Sequence, residues 1–230
     1  MRSRILVRLI RSSPRVLSAA RLSLRALPPP APLQLRIATP LQHQFRPWSS
    51  SQPPLADPSR PDLFYHLLPP DPSQSIPVYA LSFLPSPPPS SHSATILGWL
   101  PAVTEAATED VDAGLNDFVE NSRFRPLLHE AVQQALREGV DDVWTNSAIQ
   151  IQQGWMHIHD YRNVPALGRI GDPDDIIASV LVQDSKILPD TYQAMPSYRF
   201  CTADGPTQLT EGLEKKLKSL LEKVAARESR

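Results

Sequence analysis

Along this chain the apolar positions switch between a period of two and a period near 3.6, and the switches define its elements. Over Ile76–Leu84, Val78, Ala80 and Ser82 alternate with Tyr79, Leu81 and Phe83, which predicts a strand. Pro77 suits the first residues of such a strand or a sheet edge. Ala94–Leu100 predicts a second strand, and the Pro/Ser-rich residues 85–93 between them read as a loop, giving a long-looped hairpin. Asp62–Leu68 reads as a short helix stopped by Pro69-Pro70. Asp112–Ser122 reads as a helix with Leu115, Phe118 and Val119 on one face. A further helix is expected from Pro126, with Leu127, Leu128, Ala131, Ala135 and Leu136 as its stripe and Gly139 as C-cap. His129 falls off that stripe and is expected on the solvated side.

Further on, the alternation of Ile149 and Ile151 favours a strand over Val143–Gln152, and Gly154–Asp160 is a stronger strand. Asp172 as N-cap and Pro173 in the first turn predict a short helix before the strand Ile176–Gln183. A turn at Asp184–Lys186 then leads back into Ile187-Leu188. Ser197–Thr202 is the last strand and Asp204-Gly205-Pro206 a turn. Thr207 is expected to cap a C-terminal helix whose stripe is Leu209, Leu213, Leu217, Leu220, Leu221 and Val224. The order lacks a regular β-α alternation. It predicts an α+β fold: one domain with an antiparallel or mixed sheet of about five strands, covered by helices that include the C-terminal one.

Composition sets the boundaries of that domain. Residues 1–48 hold nine arginines and no lysine, aspartate or glutamate. Arg4, Arg8, Arg11 and Arg15 share one helical face, and arginines interrupt every apolar run that could serve as a secretory core. This is the pattern of a mitochondrial transit peptide; a chloroplast target is the less favoured variant. The Arg46-Pro47-Trp48-Ser49 run places the expected cleavage near Trp48–Ser49. Residues 49–61, rich in Ser and Pro, read as a flexible linker, and 62–230 as the single domain.

Without its first 48 residues the chain keeps 14 basic and 24 acidic side chains, a formal charge of −10. The total of −1 therefore hides two opposite parts. An acidic body disfavours nucleic acid, whose backbone is held by clustered Lys and Arg. No apolar run approaches the ~18 residues of a membrane span. The single cysteine, Cys201, rules out a disulfide within the chain, and an isolated strand cysteine is expected to be a packed, inert thiol.

Candidate chemistry concentrates in Gly154–Asp175. On a strand, Met156 and Ile158 would face the core, while Trp155, His157 and His159 face the other way. The two histidines would be roughly 7 Å apart at Cα, from a rise of ~3.3 Å per residue. Two such imidazoles with Asp160 would suit a divalent metal, the cofactor this face would take. Arg162 and Arg169, with Trp155, could hold an anionic ligand, or each could pair with the nearby aspartates and lock the loop; the lock is favoured because acids abound there. The Gly168-Arg169-Ile170-Gly171 run has the form of a nucleic-acid clamp, but the acids around it oppose phosphate. A calcium loop starting at Asp172 would need glycine at Ile177 and glutamate at Gln183, so it is rejected. The chain contains no P-loop, dinucleotide glycine fingerprint or nucleophile elbow. The expected function is that of a mitochondrial matrix accessory or assembly-type protein acting through a protein partner. The alternative is a small metal-assisted hydrolase or ligand binder using Trp155, His157, His159 and Asp160.

Overall fold

A computed structural model describes residues 54–57, 59–69, 77–102, 117–166 and 169–230, all of which fall in one unit, Trp48–Arg230. The expected transit peptide lies outside the described residues, as do the first five residues of the expected helix Asp112–Ser122 and part of the expected linker.

Five strands form an antiparallel meander in chain order: β1 (Leu55–Asp57), β2 (Arg60–Leu68), β3 (Val78–Ser82), β4 (Gly98–Pro101) and β5 (Val119–Glu120). The expected hairpin is its centre, with Ala80 opposite Trp99 across β3 and β4, although its second strand is Gly98–Pro101 rather than Ala94–Leu100. Three expectations are corrected here. Asp62–Leu68 is strand, not helix, because β2 is paired on both sides, to β1 and to β3, and two ladders outweigh a weak local preference. Leu55–Asp57, inside the expected linker, pairs with β2. Val119–Glu120, at the end of the expected helix, pairs with β4. There Gly98 is required, since a Cβ would meet the Phe118 ring at 2.3 Å and the Val119 carbonyl oxygen at 2.6 Å.

Helix α1 (Phe124–Glu138) buries Phe124, Leu128, Ala131, Val132, Ala135 and Leu136 on one face and ends at Gly139, with φ +62°. That left-handed conformation is the one glycine adopts without a Cβ penalty. Helix α2 (Asp142–Ile151) occupies the segment expected as strand. Ile149 and Ile151, which suggested alternation, are both exposed; the positions that count are Trp144 and Ala148, one turn apart and buried. The overlooked signal is Asp141, whose carboxylate accepts the Val143 backbone N–H at 3.0 Å as N-cap.

A second sheet follows: β6 (Gly154–His159), β7 (Ile176–Gln183) and β8 (Lys186–Ala194), antiparallel in that order. Before β7, Pro173–Asp175 makes one 3-10 turn after Asp172, as the Asp-Pro pair predicts. Asp184 and Ser185 (φ +51° and +62°) form the two-residue hairpin loop, and positive φ at both positions matches the twist of the flanking strands. β8 runs well past the expected Ile187-Leu188. Only Cys201–Thr202 of the expected last strand is paired (β9), to Gly205–Pro206 (β10), although Tyr198 and Phe200 are buried as the alternation implied.

Helix α3 (Glu211–Glu228) starts three residues later than expected, with Thr210 rather than Thr207 at N-cap. It buries Leu213, Leu217 and Leu221, packs on α1, and closes a core that draws on both larger sheets and all three helices. The fold is α+β with a C-terminal helix. Among the described residues no helix is long and apolar enough to cross a membrane.

Candidate functional site

Strand β6 alternates as its sequence requires. Met156 and Ile158 are buried in the core, while Trp155, His157 and His159 lie on the opposite face. The rings of His157 and His159 are 6.2 Å apart at their centroids and nearly perpendicular. His157 Nδ1 is 2.8 Å from the Ser179 hydroxyl directly across the ladder on β7, which fixes its ring. His159 Nδ1 is buried without a hydrogen-bond partner and rests against Gly171, where a Cβ would come within 2.9 Å of it. Burial, and then the neighbouring His157, push the His159 pKa below its ordinary value, with Asp175 acting in the other direction. His159 is therefore held neutral at physiological pH.

The two histidines open onto a concavity of about 320 Å³ between β6 and α2. Helix α2 contributes Val143, Ser147, Gln150 and Ile151, spaced to share one helical face. Tyr161, Val164 and Pro165 close the end beyond β6. Large apolar side chains here are open to solvent: Val143 46%, Trp155 49%, Tyr161 50% and Val164 57%. No side chain of this lining carries a fixed charge.

Asp160 does not join the histidines. It points to the other side of the strand, fully buried, where one carboxylate oxygen accepts the Tyr198 hydroxyl at 2.7 Å and the other accepts the backbone N–H groups of Gln208 and Arg162 at 2.9 and 3.1 Å. Burial pushes its pKa up, against the opposing pull of Arg162, Tyr198 and those N–H groups. The period of two that set His157 and His159 together is what turned Asp160 away. Among the described residues no group of three or more His, Cys, Asp or Glu side chains could hold a metal ion. The structure thus brings His157 and His159 together and leaves Asp160 apart from them.

Arg162 is not a ligand-binding residue of the concavity either. Its side chain is 1% exposed and locked, with Nε donating to Asp175 at 2.8 Å and Nη2 to the Arg199 carbonyl at 2.7 Å. Burial works against its charge, yet Asp160, Tyr198 and Asp175 hold its pKa above the ordinary value. Asn163 donates to the second Asp175 oxygen at 2.8 Å, and Thr207 meets the Tyr198 hydroxyl at 2.8 Å. Thr207, expected as a helix cap, is spent inside this network. Arg169 is exposed on the loop beyond Pro165. Of the proposed ligand-binding residues, the structure places only Trp155 in the concavity.

Two further expectations resolve away from the site. His129 is not freely solvated: its Nδ1 is 2.9 Å from the Tyr192 hydroxyl, and burial, with Arg125 nearby, brings its pKa down to about 4. Cys201 is half-buried, and burial pushes its thiol up, as befits an inert side chain. Sequence reasoning missed α2 as a wall of the site, because the helix itself was read as strand. No protein family, curated protein or solved structure matches the chain.

Proposed function

We propose that this protein is a mitochondrial matrix accessory or assembly-type module without catalysis of its own, which holds a protein partner in the concavity between α2 and β6. One observation carries the reading: Val143, Trp155, Tyr161 and Val164 leave their apolar surfaces open around a single depression. Isolated exposed apolar residues are ordinary, but several converging on one concave site mark a binding surface. The charge of −10 outside the first 48 residues favours a basic partner over nucleic acid. A metal-assisted reaction on the same face would have to draw its remaining ligands from outside the described residues, since Asp160 is committed elsewhere.

The test is site-specific photo-crosslinking in cells. A benzoylphenylalanine in place of Trp155 should give a discrete, light-dependent adduct with one partner in mitochondria. The same group in place of Asp190, an exposed position on β8, should not. No adduct from Trp155, or the same adducts from both positions, would defeat the proposal.

A further inference from the structure

Among the described residues, the edges of the two larger sheets are blunted except one. β1 and β5, the edges of the first sheet, are only three and two residues long. β8, one edge of the second sheet, carries Lys186, Pro189 and Asp190 and lies under α1, whose Gln133 side chain donates to the Pro189 carbonyl and whose Arg137 pairs with Asp190. Short length, proline, charge and a covering helix are the usual devices that keep a strand edge from pairing. β6 is longer and carries no such residues, and α2 stands beside it as a wall of the concavity. Its six residues, GWMHIH, include no proline and no fixed charge. Among the described residues no backbone hydrogen bond reaches Trp155–His159 from outside the β6–β7 ladder.

The concavity runs along this bare edge. It is lined by Met156 from the core face of β6 and by Trp155, His157 and His159 from the opposite face, and a depression touching both faces must straddle the edge between them. We infer that a partner binds by strand addition: an extended peptide segment pairs with β6 as a fourth strand of the second sheet. The inference rests on the partner-binding reading proposed above. Main-chain hydrogen bonds to β6 would give the affinity, and alternate side chains would fall between Trp155 and α2.

The occupant is a peptide that is apolar at alternate positions and carries Lys or Arg at one end. The apolar requirement follows from the uncharged lining. The basic end follows from the net charge of −10, and Asp142 and Asp172 are exposed next to Val143 and to Gly171, on the side of the concavity where β6 ends. A second copy of this chain is disfavoured by shape. Paired strands lie ~4.8 Å apart, and walls formed by α2 and by Tyr161–Pro165 on both copies would keep two recessed edges from that distance.

The experiment selects random ten-residue peptides on the full-length protein and measures the selected peptides by fluorescence polarisation. The expected peptides alternate apolar residues and carry a net positive charge. Binding should weaken at least tenfold with Trp155→Lys, a change at a half-exposed side chain whose folding is checked by circular dichroism. N-methylation of every second amide of a selected peptide should abolish binding in one phase and spare it in the other, because only one set of N–H groups faces β6. Equal binding in both phases, with the Trp155→Lys loss retained, would overturn strand addition and leave the partner-binding concavity intact. Peptides indifferent to Trp155→Lys, or no selected peptide at all, would overturn both. A concentration-dependent dimer that disappears in Trp155→Lys would make a second copy the occupant and overturn the peptide assignment.

Discussion

Arg162 shows how one residue converts a loop into a fixed part of the fold. Its guanidinium ties the end of β6 to the turn before β7 through Asp175 and the Asp174 carbonyl, and to the β9–β10 region through the carbonyls of Arg199 and Gly205. The face of its guanidinium also lies 5.6 Å from the centre of the Tyr198 ring. Removing the cation would leave two buried carboxylates, Asp160 and Asp175, without their charge partner. Breaking a buried pair in this way costs about 3–5 kcal/mol. Arg162→Ala is therefore expected to lower the unfolding free energy by that amount in urea titration, and Arg162→Lys, lacking the planar fork, to recover only part of it. A loss under about 1 kcal/mol, the range of an exposed pair, would mean that the network is not closed to solvent.

At the scale of elements, Asp141 joins two helices. One carboxylate oxygen caps α2 through the Val143 N–H, and the other accepts the Leu213 N–H at 3.1 Å in the first turn of α3 and the Thr210 hydroxyl. Thr210, the N-cap of α3, makes no cap bond with its own side chain. The approach is so close that a Cβ on Gly212 would lie 2.7 Å from the Asp141 side chain and 2.8 Å from the Val140 carbonyl oxygen. Asp141→Ala removes two caps at once, each worth ~1 kcal/mol, and is expected to cost about 2 kcal/mol with an unchanged denaturant slope. Gly212→Ala, which would stabilise an ordinary helix interior by up to ~1 kcal/mol, is expected here to destabilise. A stabilising Gly212→Ala would show that α3 can move off Asp141 freely. Because α2 forms one wall of the concavity, the Asp141 cap also helps to position the candidate site.

For the whole molecule, charge is divided along the chain. The first 48 residues carry nine of its 23 basic groups and none of its 24 acids. Arginines at helical spacing in a basic, acid-free segment are the pattern expected of an organellar import signal. Residues 1–48 fused to a fluorescent reporter are expected to send it to mitochondria, and replacing Arg4, Arg8, Arg11 and Arg15 by alanine should leave it in the cytosol. Mass spectrometry of the imported native chain should find an N-terminus near Ser49. A reporter that stays cytosolic with the native segment would remove the matrix assignment while leaving the concavity and its open strand edge untouched.

Periodicity alone determined the elements whose apolar pattern is strong and whose ends carry clear signals. These are α1 with its Gly139 cap, the β3–β4 hairpin, the face that gathers Trp155, His157 and His159, and the Leu213, Leu217, Leu221 stripe of α3. The α+β class follows from their order. Tertiary structure alone decided the rest, wherever short-range signals were balanced. β2 is strand because it has a partner on each side, and α2 is helix because Trp144 and Ala148 find the core while Ile149 and Ile151 stay outside. Asp160 and Arg162 were legible as chemically rich residues, but only the packing of the β9–β10 segment shows that they satisfy each other away from the histidines. The concavity and the bare edge of β6 arise from elements brought together across the chain. A sequence specifies which side of a strand is apolar, but not which of its edges is left open, because pairing is set by contacts distant in sequence.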